Sequence, residues 1–154
     1  MKKGLLIVLY GILVFGITGC NNNNNNKKTK IKDKSDVIVV NDITLSVKEV
    51  NENGGTFIIK NNSDIAYTYG PSWYLEIKKD NEWYEIELDK PLVWNEVLNT
   101  LKAKEETEII VEWSNTGYGK LKNGEYRIVK DGFRKEANPD SSSYSAYAEF
   151  KISK

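Results

Sequence analysis

The 154-residue sequence contains no histidine and only one cysteine. Without histidine, Ser–His and Cys–His catalysis and the usual zinc and iron ligand sets are excluded. One cysteine cannot close an internal disulfide, so a folded core must hold by packing alone. Net charge is missing as well, with 22 Lys and Arg against 22 Asp and Glu. The first nineteen residues hold two of the lysines and no acid, leaving 20 basic residues (22 − 2) against 22 acidic ones. A nucleic-acid binder needs a basic face to neutralise phosphates, and this balance argues against one. The length suits one domain. No apolar run reaches the roughly 20 residues of a membrane-spanning helix. The longest, Gly4 to Ile17, has 14 residues, about 21 Å as a helix.

What stands at the N-terminus is an export signal. Lys2 and Lys3 precede the short apolar run, which ends in Ile17-Thr18-Gly19-Cys20. A basic start, a short apolar core and small residues before a cleavage point make a signal peptide. The tetrapeptide resembles the lipobox of bacterial lipoproteins, in which an aliphatic residue, two small residues and a cysteine direct lipidation and cleavage. The resemblance implies a chain cut before Cys20 and held at the extracytoplasmic face of the cell membrane by lipid on that residue. Two or three acyl chains give stable anchoring, at about 0.8 kcal/mol per buried methylene. Residues 1–19 are therefore read as the signal peptide.

Residues 20–35 are read as a lipidated, disordered tether. Asn21 to Asn26 is unbroken asparagine, followed by five lysines between positions 27 and 34. Such a stretch lacks the apolar surface needed to offset the entropy of ordering. Fifteen flexible residues span roughly 20 Å, enough to lift a domain clear of the headgroups. The lysines also suit anionic lipid or wall polymer, although a plain solubilising linker is the simpler reading.

From Asp36 onward the texture changes to short apolar–polar alternations broken by Asn, Gly, Asp and Pro, the pattern of half-buried strands joined by turns. Val37–Val40, Thr44–Val50, Thr56–Lys60, Trp73–Lys78, Trp83–Leu88, Glu108–Trp113, Glu125–Lys130 and Ala146–Ile152 read as strands. The strands beginning at Trp73 and Trp83 should form a hairpin closed by Asp80-Asn81. Only Pro91–Leu101 carries a helical signal, with Val93, Val97 and Leu101 spaced by four. Residues 36–154 are thus expected to fold as an antiparallel β-sandwich of seven to nine strands without a disulfide.

One segment narrows the family. Leu121-Lys122-Asn123-Gly124-Glu125-Tyr126-Arg127-Ile128-Val129-Lys130 resembles the L-x-x-G-x-Y-R-I-V-K strand of a bacterial immunoglobulin-like domain common in Gram-positive lipoproteins. Phe57–Asp64, the Trp73–Trp83 hairpin and Ala148-Glu149-Phe150 fit the same order, so the resemblance covers about residues 43–152. It implies an immunoglobulin-like sandwich and says little about activity. Tyr126 falls where a tyrosine corner would pin the sandwich edge through its phenol. The sequence departs from the family where Lys102-Ala103-Lys104 replaces a Pro-Gly before Glu105.

Candidates for chemistry are few. Seven aromatic residues fall between Tyr67 and Trp94, and alternate side chains on a strand cannot all be buried. Tyr69, Tyr74 and Trp83 form a candidate binding patch for a protein partner or a cell-wall glycan, although capping or pairing within the sheet explains such rings too. Glu85 and Glu87 stand roughly 7 Å apart along one strand face, a spacing that resembles the paired carboxylates of inverting glycosidases. Alternating glutamate on a strand is ordinarily its wet side, and no catalytic residue is assigned. Neither Asp131, Asn138 and Asp140 nor Asp80, Asn81 and Glu82 has the dense oxygen spacing of a calcium loop, so no metal or other cofactor is expected. Asn115-Thr116-Gly117-Tyr118-Gly119 resembles the Gly-Tyr loop of chagasin-type protease inhibitors, which are also immunoglobulin-like. The strand-and-turn order is similar to a bacterial intracellular-proteinase inhibitor family, so inhibition of a protease is the alternative to a binding or accessory module.

Overall fold

A computed structural model describes residues 31–34, 39, 41–138 and 142–153. The residues read as signal peptide, Cys20 and the stretch read as tether up to Lys30 lie outside the described residues. The strands are β1 (Ile31–Lys34), β2 (Ile43–Val50), β3 (Gly55–Asn61), β4 (Tyr67–Tyr69), β5 (Trp73–Lys79), β6 (Glu82–Ile86), β7 (Asn99–Leu101), β8 (Glu106–Val111), β9 (Gly124–Lys135) and β10 (Tyr144–Ile152). One sheet runs β1-β6-β5-β9-β4-β7, with β10 paired to the free side of β9, and the other runs β2-β3-β8. Every strand pairing is antiparallel. The fold is an all-β sandwich, as the alternation predicts.

The period-2 pattern decides which faces meet. Ile43 and Leu45 of β2, Phe57 and Ile59 of β3, Leu75 of β5, Ile128 of β9 and Ala148, Phe150 and Ile152 of β10 are all buried in one core. Its centre is aromatic. Trp113 stacks on Phe150 at 5.4 Å, Phe150 stacks on Tyr126 at 5.8 Å, and Phe57 leans on both Trp113 and Phe150. These contacts join the two sheets without a covalent link. The Trp113 indole N–H donates to the Glu52 carbonyl at 2.9 Å, so its one polar atom is satisfied.

Local chemistry sets the turns. Asp80 and Asn81 both take positive φ, at 51° and 63°, and Lys79 pairs with Glu82 across them. Two left-handed residues form the tight hairpin turn whose twist matches the flanking strands, and Asp and Asn tolerate that conformation best after glycine. The buried Asn61 amide caps two loops, with its N–H donating to the Ile65 and Lys102 carbonyls and its oxygen accepting from Ser63 N–H. In the L-x-x-G-x-Y segment, Tyr126 Oη donates to the Lys122 carbonyl at 2.9 Å. A side chain at Gly124 would come within 3.1 Å of the Tyr126 ring. The glycine is there to let the phenol fold back over its own turn.

Two expectations are corrected. Pro91–Leu101 forms no helix, and residues 91–98 run as irregular chain before β7. Val93 is 93% exposed and Val97 57%, while only Leu101 is buried. Leu92 and Trp94, two residues apart, pack against the core instead. A short isolated helix has no stability of its own without a packed face, and here the packed residues follow an extended spacing. Further upstream, Ile31–Lys34 lies within the stretch expected to be disordered, yet it pairs with β6 through Ile31 to Ile86 and Lys34 to Tyr84. The open backbone edge of β6 supplies the partner groups that the tether's composition alone did not suggest. Of the expected strand Val37–Val40, only Val39 is described, in a parallel bridge with Ser145.

Candidate functional site

At the open end of the β5–β6 hairpin, opposite its turn, a groove of about 300 Å³ opens to solvent. Trp73 and Tyr74 begin β5 on one side, and Glu85 and Ile86 end β6 on the other. The irregular segment after β6 adds Glu87, Leu88, Pro91, Leu92 and Trp94, while Tyr118 enters from the loop before β9. Trp73 sits at the base, with Tyr118 stacked on it at 5.7 Å and 27° and Trp94 tilted against it at 5.5 Å and 59°. The three rings make a corner, not a flat platform.

Hydrogen bonds fix this corner. The Leu75 backbone N–H donates to Tyr118 Oη at 3.1 Å. Burial, and to a smaller degree the negative charge of Glu85, push the Tyr118 phenol up to about 12, against the opposing effect of the Leu75 bond. Tyr118 therefore stays neutral throughout the physiological range. Its ring lies half-buried in the groove wall. In the groove wall, the Ser72 hydroxyl donates to Asp131 at 2.6 Å.

Lys130, the last residue of the L-x-x-G-x-Y-R-I-V-K segment, is buried beside the groove. Its ammonium donates to the Gly70 and Ser72 carbonyls and lies 5.2 Å from the Tyr69 ring centre and 5.9 Å from that of Phe133. Desolvation pushes it down to about 8, although Asp131 acts in the opposite direction. This lysine ties down the β4–β5 connection that forms one wall of the groove.

The predicted patch does not hold together. Tyr69 is only 7% exposed and packs on Phe133 at 5.4 Å, because Tyr67 and Tyr69 on β4 both face the core. Its phenol is held above the ordinary tyrosine range by burial first and the charge of Glu105 second. Trp83 is half-buried on the outer face of the larger sheet. There its ring covers the Arg127 guanidinium at 4.8 Å, which Tyr147 covers at 4.7 Å. Arg127 in turn donates to the buried Glu76 on the neighbouring strand. Trp83 is thus occupied in shielding an internal ion pair. Of the three patch residues only Tyr74 lines the groove, where Glu85 and Glu87 join it.

Sequence reasoning missed Trp73, Trp94 and Tyr118 as groove residues. Asp80, Asn81 and Glu82 form the hairpin turn, with Glu82 accepting from the Tyr84 hydroxyl at 3.1 Å. Asp140 lies outside the described residues. Among those described, no three acidic or cysteine side chains gather as a metal site would require.

Residues 37–151 match the bacterial Ig-like domain family. The chain belongs to that family. The match begins just after β1 and ends one residue before the end of β10. The archaellum periplasmic stator protein FlaG from Sulfolobus acidocaldarius aligns with 70% of this chain and 99% of its own, at 13% identity and a TM-score of 0.40. The ASH/PapD-like domain of human CEP192 aligns with 97% of this chain and 100% of its own, at 12% identity and a TM-score of 0.27. No curated protein sequence matches the chain.

Proposed function

We propose that this chain is an exported lipoprotein, held at the extracytoplasmic face of the bacterial cell membrane by lipid on Cys20. Its Ig-like domain serves there as a non-catalytic binding or accessory module. The observation that carries the binding role is the groove at the open end of the β5–β6 hairpin, a concave aromatic wall with a few carboxylates, the usual make-up of a recognition site. Anchoring is supported by Ile17-Thr18-Gly19-Cys20 behind a basic start and a short apolar core. A non-catalytic role is supported by the lack of histidine. The partner is a protein or a cell-wall glycan, reached within the length of the tether.

Mass spectrometry of membrane and soluble fractions tests the anchoring. The native chain should be found in the membrane at the mass of residues 20–154 plus acyl groups, and Cys20→Ser should release it or leave it unprocessed. A Cys20→Ser protein that remains membrane-bound at its processed mass would sink the reading.

A further inference from the structure

We propose that the irregular segment between β6 and β7 is a membrane-contact element, which lies on the lipid bilayer through Val93, Val97 and Leu98. The proposal rests on the reading of Cys20 as a lipid anchor. Val93 is 93% exposed, Val97 57% and Leu98 68%. Among the described residues seven large apolar side chains are exposed, and three of them gather within these six positions. Leu92 and Trp94, on either side of Val93, pack against the core. The segment is thereby pinned from below, with its aliphatic side chains left in water.

The point where the chain enters the fold indicates what covers them. Ile31 of β1 pairs with Ile86, the last residue of β6. Ile86 lines the groove together with Leu92 and Trp94, so β1 begins beside the exposed segment. Ten residues, 21–30, separate Cys20 from β1. Even fully extended, the chain from Cys20 to Ile31 reaches no more than about 40 Å. A lipid on Cys20 therefore keeps this end of the sandwich near the bilayer, with the Asp80-Asn81 turn at the far end of the hairpin.

The chemistry of the segment sets the depth of contact. Peptide groups of irregular chain need polar partners, so the backbone cannot enter the hydrocarbon core. Aliphatic side chains at the boundary still gain by leaving water. Asp89 and Glu96, against Lys90, hold the segment at the headgroup level. Lys27, Lys28 and Lys30, which precede β1 in sequence, offset that charge beside anionic lipid. A protein partner suits the segment less well, because interface anchors are mostly Trp, Tyr and Arg. The one tryptophan here, Trp94, is turned in against Trp73. The groove, walled in part by Leu92 and Trp94, then opens beside the headgroups.

The test is the rate at which a membrane-impermeant maleimide labels single cysteines in the lipidated chain. That chain is purified from membranes and added to preformed vesicles of phosphatidylcholine and phosphatidylglycerol. Lipid blocks the Cys20 thiol, so the native chain should take no label. Val97→Cys should label about tenfold more slowly than Lys122→Cys, the ratio for a segment docked about nine-tenths of the time. Lys122 is exposed and lies just before β9, whose first residues run beside the hairpin-turn end of β5. In the chain from residue 20 carrying Cys20→Ser, without vesicles, the two positions should label equally fast. Adding Val93→Asp and Leu98→Asp should restore fast labelling of position 97 on vesicles. Equal rates on vesicles, with the native chain unlabelled, would overturn the contact and leave the anchor standing. Label on the native chain itself would reveal a free Cys20 thiol, and both readings would fall. Slow labelling of Val97→Cys without vesicles would mean that a second copy covers the segment, which would also overturn the proposal.

Discussion

At the residue scale, the buried lysine makes the clearest demand on pH. Lys130 titrates at about 8 in the folded chain against an ordinary 10.5. Between those values the unfolded chain binds a proton that the folded one has released, so stability rises with pH in that window. The full difference amounts to about 3 kcal/mol at roughly 1.4 kcal/mol per unit. Tyr67 and Tyr118, both held near 12 by burial, act oppositely above pH 10, where the unfolded chain loses protons that the folded chain keeps. The urea midpoint of the native domain should therefore climb from about pH 8 to pH 10 and then fall. In Lys130→Met the climb should disappear and the fall should remain. A flat native profile across the first window would show that the lysine holds its proton in the fold.

The Glu76–Arg127 pair, also read at this scale, shows why parts of the fold escape a sequence reading. Glu76 alternates with Leu75 and Ile77, and alternation assigns it to solvent. It is instead completely buried, as is Val129 two strand positions from Arg127 on the same outer face. The cover comes from Trp83 and Tyr147, whose rings close over the guanidinium from β6 and β10. Sequence shows that those aromatics must face outward, but not that an arginine on the strand between them will draw both down. Glu76 Oε1 has no hydrogen-bond partner among the described residues. A buried ion pair of this kind stabilises little relative to apolar packing, yet loss of one partner leaves a stranded charge.

At the scale of elements, the β5–β6 hairpin was legible because two independent signals agree: alternation in Trp73–Lys78 and Trp83–Leu88, and a two-residue Asp-Asn turn between them. The observed register follows that turn. Glycine is the residue best suited to the second left-handed position of such a turn. Asn81→Gly should accordingly raise stability, by about 0.5 kcal/mol after the extra freedom of the unfolded chain is counted. A lower urea midpoint for this variant would contradict the assigned turn geometry. The segment after β6 was misread for the opposite reason, because one signal stood alone. Val93, Val97 and Leu101 have helical spacing, but no cap or opposing face supports it. The groove was illegible on the same account: Trp94 lies on irregular chain and Tyr118 on a loop, and no local pattern brings either to Trp73. Lys104 sits at φ 61°, where the family's turn has glycine. Its ammonium reaches the Asn62 carbonyl and the Asp64 carboxylate, which partly offsets the strain of that conformation.

At the scale of the whole molecule, the question is how a sandwich with so many strand ends avoids pairing with itself. β7 is only three residues long, and β8 carries Glu106 and Glu108, paired with Lys60 and Lys48. Short strands and charged edges both discourage edge-to-edge association. β10 meets Val39 at Ser145 and has a register shift nearby. β6 is different. Its Glu82–Ile86 stretch contains Trp83, Tyr84 and Ile86, and the covering strand is β1, which lies before the family's span. Strand β1 thus covers the edge of the domain that follows it. A chain beginning at residue 36 keeps the entire core and should still fold. The loss of four paired edge residues should lower stability by about 1 kcal/mol, a shift of roughly 3–5 °C in Tm. The more telling consequence is association. With the β6 edge bare, the truncated chain should dimerise with rising concentration in analytical ultracentrifugation, whereas the chain from residue 20, with Cys20→Ser, should stay monomeric. Tyr84→Lys should return the truncated chain to the monomer by placing a charge on the open edge. Sedimentation of the truncated chain as a monomer at every concentration would mean that β6 needs no guard, leaving β1 without this role.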